Sequence, residues 1–347
     1  MVHGSNDNGR ILSLAEVCSF LPLILASLHR SHDATSAPDT TNEEYCDGFR
    51  WIHTKPDCMK GKAEYVQLEH NEWPKRYEAC GDAVEQSPIH VHYLDSRFLQ
   101  FKPLYFAGFE NHYSYVVENG MHGLYLTLVD GTVSLYGGPL AVRHNLSRAI
   151  LRFGRPTRRG SEHRIDDAEH VAELQLLFSS KKPTPTRCLH DNYGAAIVSV
   201  LYREVPGSVA ALEPLVESTR QLRGVWGART PVELRLSALM APLAQHYYAY
   251  SGSLTFPPCT SRIPTLVMAR AATIGEDQMD ALRRNMYVSL NYCVYHMAGQ
   301  LRPIFDARNR DVYRSFKYFE SPADYRRPHS LLAPLLLLSL ALTTAEL

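Results

Sequence analysis

The sequence predicts a mainly β fold of the α+β type, one large, mainly antiparallel sheet with a few peripheral helices. Three observations carry that expectation. Twenty Tyr among 347 residues, with abundant Val, Ile and Thr, favour strands. The stretch "YSYVVENGMHGLYLTLVDGTVSLYGG" holds three short β runs separated by "ENG", "VDG" and "YGG" turns. The run "AAIVSVLYREV" (195–205) is almost continuously apolar, as a central strand covered on both faces should be.

Helices are few. "PGSVAALEPLVESTRQL" (206–222) has apolar residues at helical spacing, which predicts a helix. "GEDQMDALRRNM" (275–286) starts with acids and ends with arginines, which suits the helix dipole. Residues 148–176 read as two strands joined by a basic loop. No internal repeat is visible. The texture is that of one domain over 44–318, preceded by a polar, flexible segment at 31–43.

The ends carry export signals. Within 1–30, "ILSLAEVCSFLPLILASL" has a short apolar core after Arg10 and is interrupted by Glu16, which gives an irregular signal peptide. The rival readings are a disordered leader or a misplaced start. In 319–347, small residues Ser321 and Ala323, the polar "YRRPH" and the tail "SLLAPLLLLSLALTTAEL" have the layout of a glycolipid (GPI) anchor signal. A short apolar helix packed on the domain is the alternative. Charge is balanced, 36 Lys+Arg against 36 Asp+Glu, so no global field attracts nucleic acid. Of seven cysteines, Cys18 falls in the leader, and an even six remain, as in a secreted disulfide-bearing chain. Asn145-Leu-Ser147 is a glycosylation sequon. The expected location is therefore secreted or cell-surface, with membrane contact only through a lipid anchor.

Six motifs follow in order: "WPKRYEACGDAVEQSPIHV" (73–91), "YGGPL" (136–140), "GSEHRID" (160–166), "AELQL" (172–176), "YSGSLTFPPC" (250–259) and "LRPIF" (301–305). Together they resemble the α-carbonic anhydrase family over roughly 44–316. The resemblance implies a twisted, mostly antiparallel sheet of about ten strands with a conical cleft. At its base the family holds zinc with three histidines, two as HxH on one strand and one in AELHL on the next. The metal-bound water, acidified to a pKa of about 7, is the nucleophile.

Counting back from "GSEH", those three positions fall on Ile150, Arg152 and Gln175. Isoleucine has no lone pair, arginine stays protonated, and a neutral amide is a poor zinc ligand. No HxH occurs within 141–175, and His170 could replace Gln175 only by a slip that reverses faces. Glu162 and Thr255 match the family's gatekeeping pair and are expected to hydrogen-bond, with Glu162 also available to neutralise Arg152. Met121 stands at the proton-shuttle position, and His122 is expected to face the other way on a regular strand. Phe256 and Thr265 replace a small polar residue and a tryptophan of the pocket.

The chain thus looks closest to the secreted carbonic anhydrase-related proteins, which keep the fold and lose the metal. Arg152 lies one strand step from the arginine those members usually carry. The resemblance implies a Cys80–Cys259 disulfide; Cys46 and Cys58 could form another, and Cys188 and Cys293 have no assigned counterpart. His90-Val-His92 is a stray HxH, read as two partly exposed strand histidines. No catalytic residue, metal or cofactor is expected. The alternative is a zinc-dependent carbonic anhydrase with an atypical or displaced metal. The expected partner is an acidic glycan or cell-surface protein, met by a basic rim at Arg155, Arg158 and Arg159; the alternative is a solvated loop whose charges only aid solubility.

Overall fold

Runs of β-branched and aromatic residues become strands, most of which lie edge to edge in one sheet. The structure, a computed structural model, describes residues 73–82, 85–120, 122–156, 160–180, 194–240, 245–290, 293–307 and 310–317. The leader, the 31–43 segment, the C-terminal tail, Met121, Arg158, Arg159, Cys46, Cys58 and Cys188 lie outside these residues. Two units divide the chain, Met1–Ser315 and Phe316–Leu347, and all elements below belong to the first.

The strands are β1 His90–Val91, β2 Arg97–Phe98, β3 Leu104–Ala107, β4 His112–Gly120, β5 Gly123–Leu128 and β6 Ser134–Gly137. Then follow β7 Leu140–Phe153, β8 Arg164–Ile165, β9 Ala172–Ser179, β10 Ala195–Val205, β11 Arg229–Arg235 and β12 Tyr247–Ser253. The last are β13 Ser261–Met268, β14 Ala272–Gly275, β15 Tyr287–Leu290, β16 Cys293–His296 and β17 Tyr313–Arg314. Thirteen of them form the main sheet, while β1 with β8 and β15 with β16 pair separately. Ten run along one path, β11-β4-β5-β7-β9-β10-β13-β12-β17-β2, and β3, β6 and β14 attach beside it. The expected count of about ten thus describes the path; the three short additions make thirteen. The β10–β13, β10–β14 and β17–β2 pairings are parallel, and the others in this sheet are antiparallel.

The apolar run 195–205 is β10 and sits in mid-path. By contrast β11, "RTPVELR", alternates exposed and buried, and it lies at one end of the path. Its Pro231 has no N–H to donate, and an edge strand tolerates that.

Two residues on a strand share a face at every second position. One face carries the main core, including Leu124, Leu126, Leu151, Leu174, Val198 and Leu266. Each such buried aliphatic side chain contributes about 1.5–3 kcal/mol. The other face holds a smaller apolar cluster of Trp73, Tyr125, Ile150, Leu177, Ile197, Leu254 and Phe256 with Cys80 and Cys259. The candidate site lies on this second face.

Among the described residues the α-helices are short: α1 Trp73–Arg76, α2 Glu213–Ser218 and α3 Glu276–Asn285. α3 matches the sequence reading, with Glu276 and Asp277 in its first turn and Arg283 and Arg284 in its last. The predicted helix over 206–222 is corrected. It is a 3-10 turn at Ala210–Leu212, then α2, then a second 3-10 turn at Thr219–Leu222. Pro214 cannot donate inside a continuing helix, so α2 starts with it in the first turn. The Ser218 and Thr219 hydroxyls bond back to the Leu215 and Val216 carbonyls, competing with the backbone where α2 ends.

Candidate functional site

Antiparallel pairing builds the site row by row. In register, Tyr125 faces Ile150, Ile150 faces Gln175, and Gln175 faces Ser199. The next row pairs Arg152 with Glu173. Ile150, Arg152 and Gln175 therefore share one face and meet, as their places in the motif imply. Ile150, Arg152 and Gln175 are 0%, 3% and 1% exposed. Gly123, at the start of β5, lets the strands close here. Its φ is +143°, and a Cβ would meet the Leu151 carbonyl oxygen at 2.5 Å and Arg152 Cγ at 3.3 Å.

Each metal-position residue is already engaged. Ile150 packs in the apolar cluster with Tyr125 and Phe256. Arg152 Nη1 forms a buried ion pair with Glu162 Oε1, as the sequence allowed. The Arg152 guanidinium also lies 5.3 Å from the Phe256 ring centroid. Gln175 Oε1 accepts from Thr255 Oγ1 at 2.9 Å, and its Nε2 donates to Glu173 Oε1 at 2.9 Å.

One expectation needs correction here. Glu162 and Thr255 do not bond each other: Thr255 donates to Gln175, and Glu162 accepts from Arg152 and from the Arg302 N–H at 3.0 Å. The cause is local. Arg152 supplies the stronger, charged donor to Glu162, and Gln175 supplies a new acceptor for the threonine hydroxyl.

Around these residues runs a satisfied polar network. His163 Nδ1 lies 2.8 Å from Glu173 Oε1, and its backbone N–H donates to Glu173 Oε2 at 2.7 Å. His163 Nε2 meets Tyr250 Oη at 2.7 Å, and Tyr250 Oη meets Ser87 Oγ at 2.6 Å. Arg302 donates to Gln86 Oε1 at 2.7 Å and to the carbonyls of Ser87, Leu254 and Cys80. Burial lowers the Arg302 pKa to about 10, against the pull of Glu162. Burial pushes Glu162 up, and Arg152 opposes it. For Glu173, burial also pushes upward, but His163, through its charge and hydrogen bonds, and the Gln175 amide outweigh it. The carboxyl is held at about 2. Sequence reasoning did not single out Arg302, Glu173 or Tyr250. An arginine inside the apolar "LRPIF", and an acid two residues before Gln175 on the same strand face, were the available signals.

His122 is a second correction. It lies in the turn between β4 and β5, not on a regular strand. Its ring stacks on Phe256 at 5.3 Å and meets Trp73 edge-on at 6.1 Å, on the site's side. Phe256 and Thr265 are both buried rather than open to solvent, and Thr265 Oγ1 donates to the Ile263 carbonyl at 3.1 Å.

The family zinc does not fit this donor set. Three neutral lone-pair donors are needed. Ile150 offers none, Arg152 brings a cation, and the Gln175 amide is held at both ends. Among the described residues, no group of three or more His, Cys, Asp or Glu side chains could hold a metal ion. His90 is half-buried, with Nε2 at 2.7 Å from the Asp166 carbonyl oxygen and its ring 3.8 Å from that of His92. Burial lowers its pKa, outweighing the Asp166 hydrogen bond. His92 is exposed, one residue beyond β1.

Cys80 and Cys259 are joined by a disulfide with S–S 2.07 Å. Cys293 lies on β16, and its side chain is outside the described residues. Asn145 is half-buried on β7, and its Oδ1 accepts from Ser134 Oγ at 2.8 Å. Of the predicted rim, Arg155 is exposed and its Nε donates to the Ala298 carbonyl at 3.4 Å. No described helix is long and apolar enough to cross a membrane.

The model of the family described as eukaryotic-type carbonic anhydrase matches residues 68–316. Carbonic anhydrase 3 of Rattus norvegicus is 28% identical over 263 residues, covering 74% of this chain and 98% of that protein. Carbonic anhydrase 12 of Homo sapiens is 25% identical over 285 residues, covering 78% and 74%. The mitochondrial carbonic anhydrase 5A of Homo sapiens is 26% identical over 239 residues, covering 67% and 77%.

Proposed function

Since the chain belongs to the eukaryotic-type carbonic anhydrase family, we propose that it is a catalytically silent, carbonic anhydrase-related member acting as an extracellular binding module. The observation that carries this reading is the state of the three metal positions. Ile150, Arg152 and Gln175 are buried and occupied by packing, an ion pair and two hydrogen bonds. Without a metal, nothing at this point lowers the pKa of water toward neutrality. The Cys80–Cys259 bridge supports an oxidising compartment. Secretion, glycosylation at Asn145 and a lipid anchor belong to the same proposal. So does the partner class, an acidic glycan or cell-surface protein meeting the basic segment around Arg155.

The test is CO2 hydration by the purified full chain, with and without added zinc. A rate equal to the uncatalysed background supports the reading. Hydration that sulfonamides block would overturn it and favour an enzyme with an atypical metal site. The partner class is read separately, by retention on heparin across a salt series. Charge-driven binding weakens as the screening length falls from about 10 Å at 0.1 M to about 3 Å at 1 M. Replacing Arg155, Arg158 and Arg159 with serine should remove retention; unchanged retention would exclude this segment.

A further inference from the structure

Arg152 is a buried cation only half used. Its Nη1 holds Glu162, but its Nε and Nη2 are buried and have no hydrogen-bond partner among the described residues. These two N–H groups lie along one edge of the guanidinium. Such an edge presents two parallel donors, the arrangement that grips both oxygens of a planar oxyanion. Leaving two charged donors unpaired inside a protein costs more than leaving neutral ones, so an acceptor at this edge would be strongly favoured.

The surroundings suit an anion. Phe256 lies over the guanidinium. Arg302 adds a second positive charge, close enough that the Arg152 charge disfavours it, and among the described residues its side chain bonds neutral acceptors. Glu162 offsets one of the two cations, while Glu173 is engaged with His163 and Gln175. The geometry points to a small-anion site in which the lateral edge of Arg152 binds a planar oxyanion of the carboxylate class, where the family holds its metal. This inference rests on the metal-free reading above. At 3% exposure, Arg152 is out of reach of a carboxylate attached to a large partner, so the ion of this proposal is free and small.

The experiment uses the full chain after chelator dialysis, with its zinc content measured first. Thermal denaturation is followed against formate, with chloride adjusted to hold ionic strength constant. Nitrate tests planar geometry, and perchlorate tests charge without it. Formate and nitrate should raise Tm saturably, and perchlorate should not. Arg152→Lys keeps the charge but loses the two-donor edge, and should weaken formate about tenfold or more, the loss of one charged hydrogen bond. Line broadening of 13C-formate by the unaltered protein reads binding even if the variant does not fold. Absence of broadening, a shift shared by all three anions, or an undiminished effect in Arg152→Lys would each overturn the site. Near-equimolar zinc would overturn the metal-free reading itself, whereas anion silence in zinc-free protein removes this inference alone.

Discussion

Two sets of residues on the same sheet face have had different fates. The three metal positions have become Ile150, Arg152 and Gln175, none of which suits zinc. The residues around them, Glu162, His163, Glu173, Tyr250, Thr255 and Arg302, form a buried polar network that Arg152 and Gln175 help to connect. The difference teaches what each set does for the chain. On the proposed metal-free reading, a metal position needs only to be filled. A buried polar residue that many others depend on cannot be lost singly, because each loss strands a partner. The network thus has a structural role that does not depend on zinc.

That contrast is broken most strongly at Glu162. Glu162→Ala removes the partner of a buried guanidinium and should cost about 3–5 kcal/mol in urea unfolding. The paired replacement Arg152→Met with Glu162→Gln should cost far less, because it strands no charge. A single-variant cost below that of the pair would contradict the ion pair as an anchor.

The disulfide ranks next. Cys80 and Cys259 are 179 residues apart, so their bridge closes a very long loop. Replacing both with serine should lower stability by about 2–5 kcal/mol. Unchanged unfolding midpoints for the oxidised and reduced protein would contradict this.

Glu173 sharpens the comparison through pH. Its folded pKa, about 2, lies below the ordinary carboxylate value. Its contribution is therefore present above about pH 5 and is lost as pH falls toward 2, with a size of about 3 kcal/mol. Glu162 is shifted upward, so its own contribution has the opposite sign and grows as pH falls through its folded pKa. Glu173→Gln should flatten acid unfolding between about pH 5 and 2. An unaltered acid profile would mean that the His163–Glu173 pair is not a source of the dependence.

The smallest effect is at Thr255. Its hydroxyl bonds Gln175, and Thr255→Val should cost about 1 kcal/mol by chemical denaturation. The second replacement Gln175→Leu should then add less than it does alone. Full additivity would separate the two residues.

Much of this architecture was legible in the residues. The apolar run 195–205 announced β10, and acids followed by arginines announced α3. The six motifs located Ile150, Arg152 and Gln175 because strand spacing fixes which residues share a face. Partner choice was less legible. That Thr255 turns to Gln175 depends on Arg152 having claimed Glu162, a competition between side chains far apart in sequence. The broken helix at 206–222 shows a local version of the same limit. Its periodicity was real, but Pro214, Ser218 and Thr219 decide where the α-helical turns start and stop.

The central claim is that the metal positions are filled while their supporting network stands. The zinc-to-protein ratio of the purified full chain, measured beside the triple variant Ile150→His, Arg152→His and Gln175→His, tests it most directly. The account predicts a ratio near zero for the unaltered chain and a clear gain in the variant, because the retained network can still orient three imidazoles. Near-equimolar zinc in the unaltered chain would contradict it.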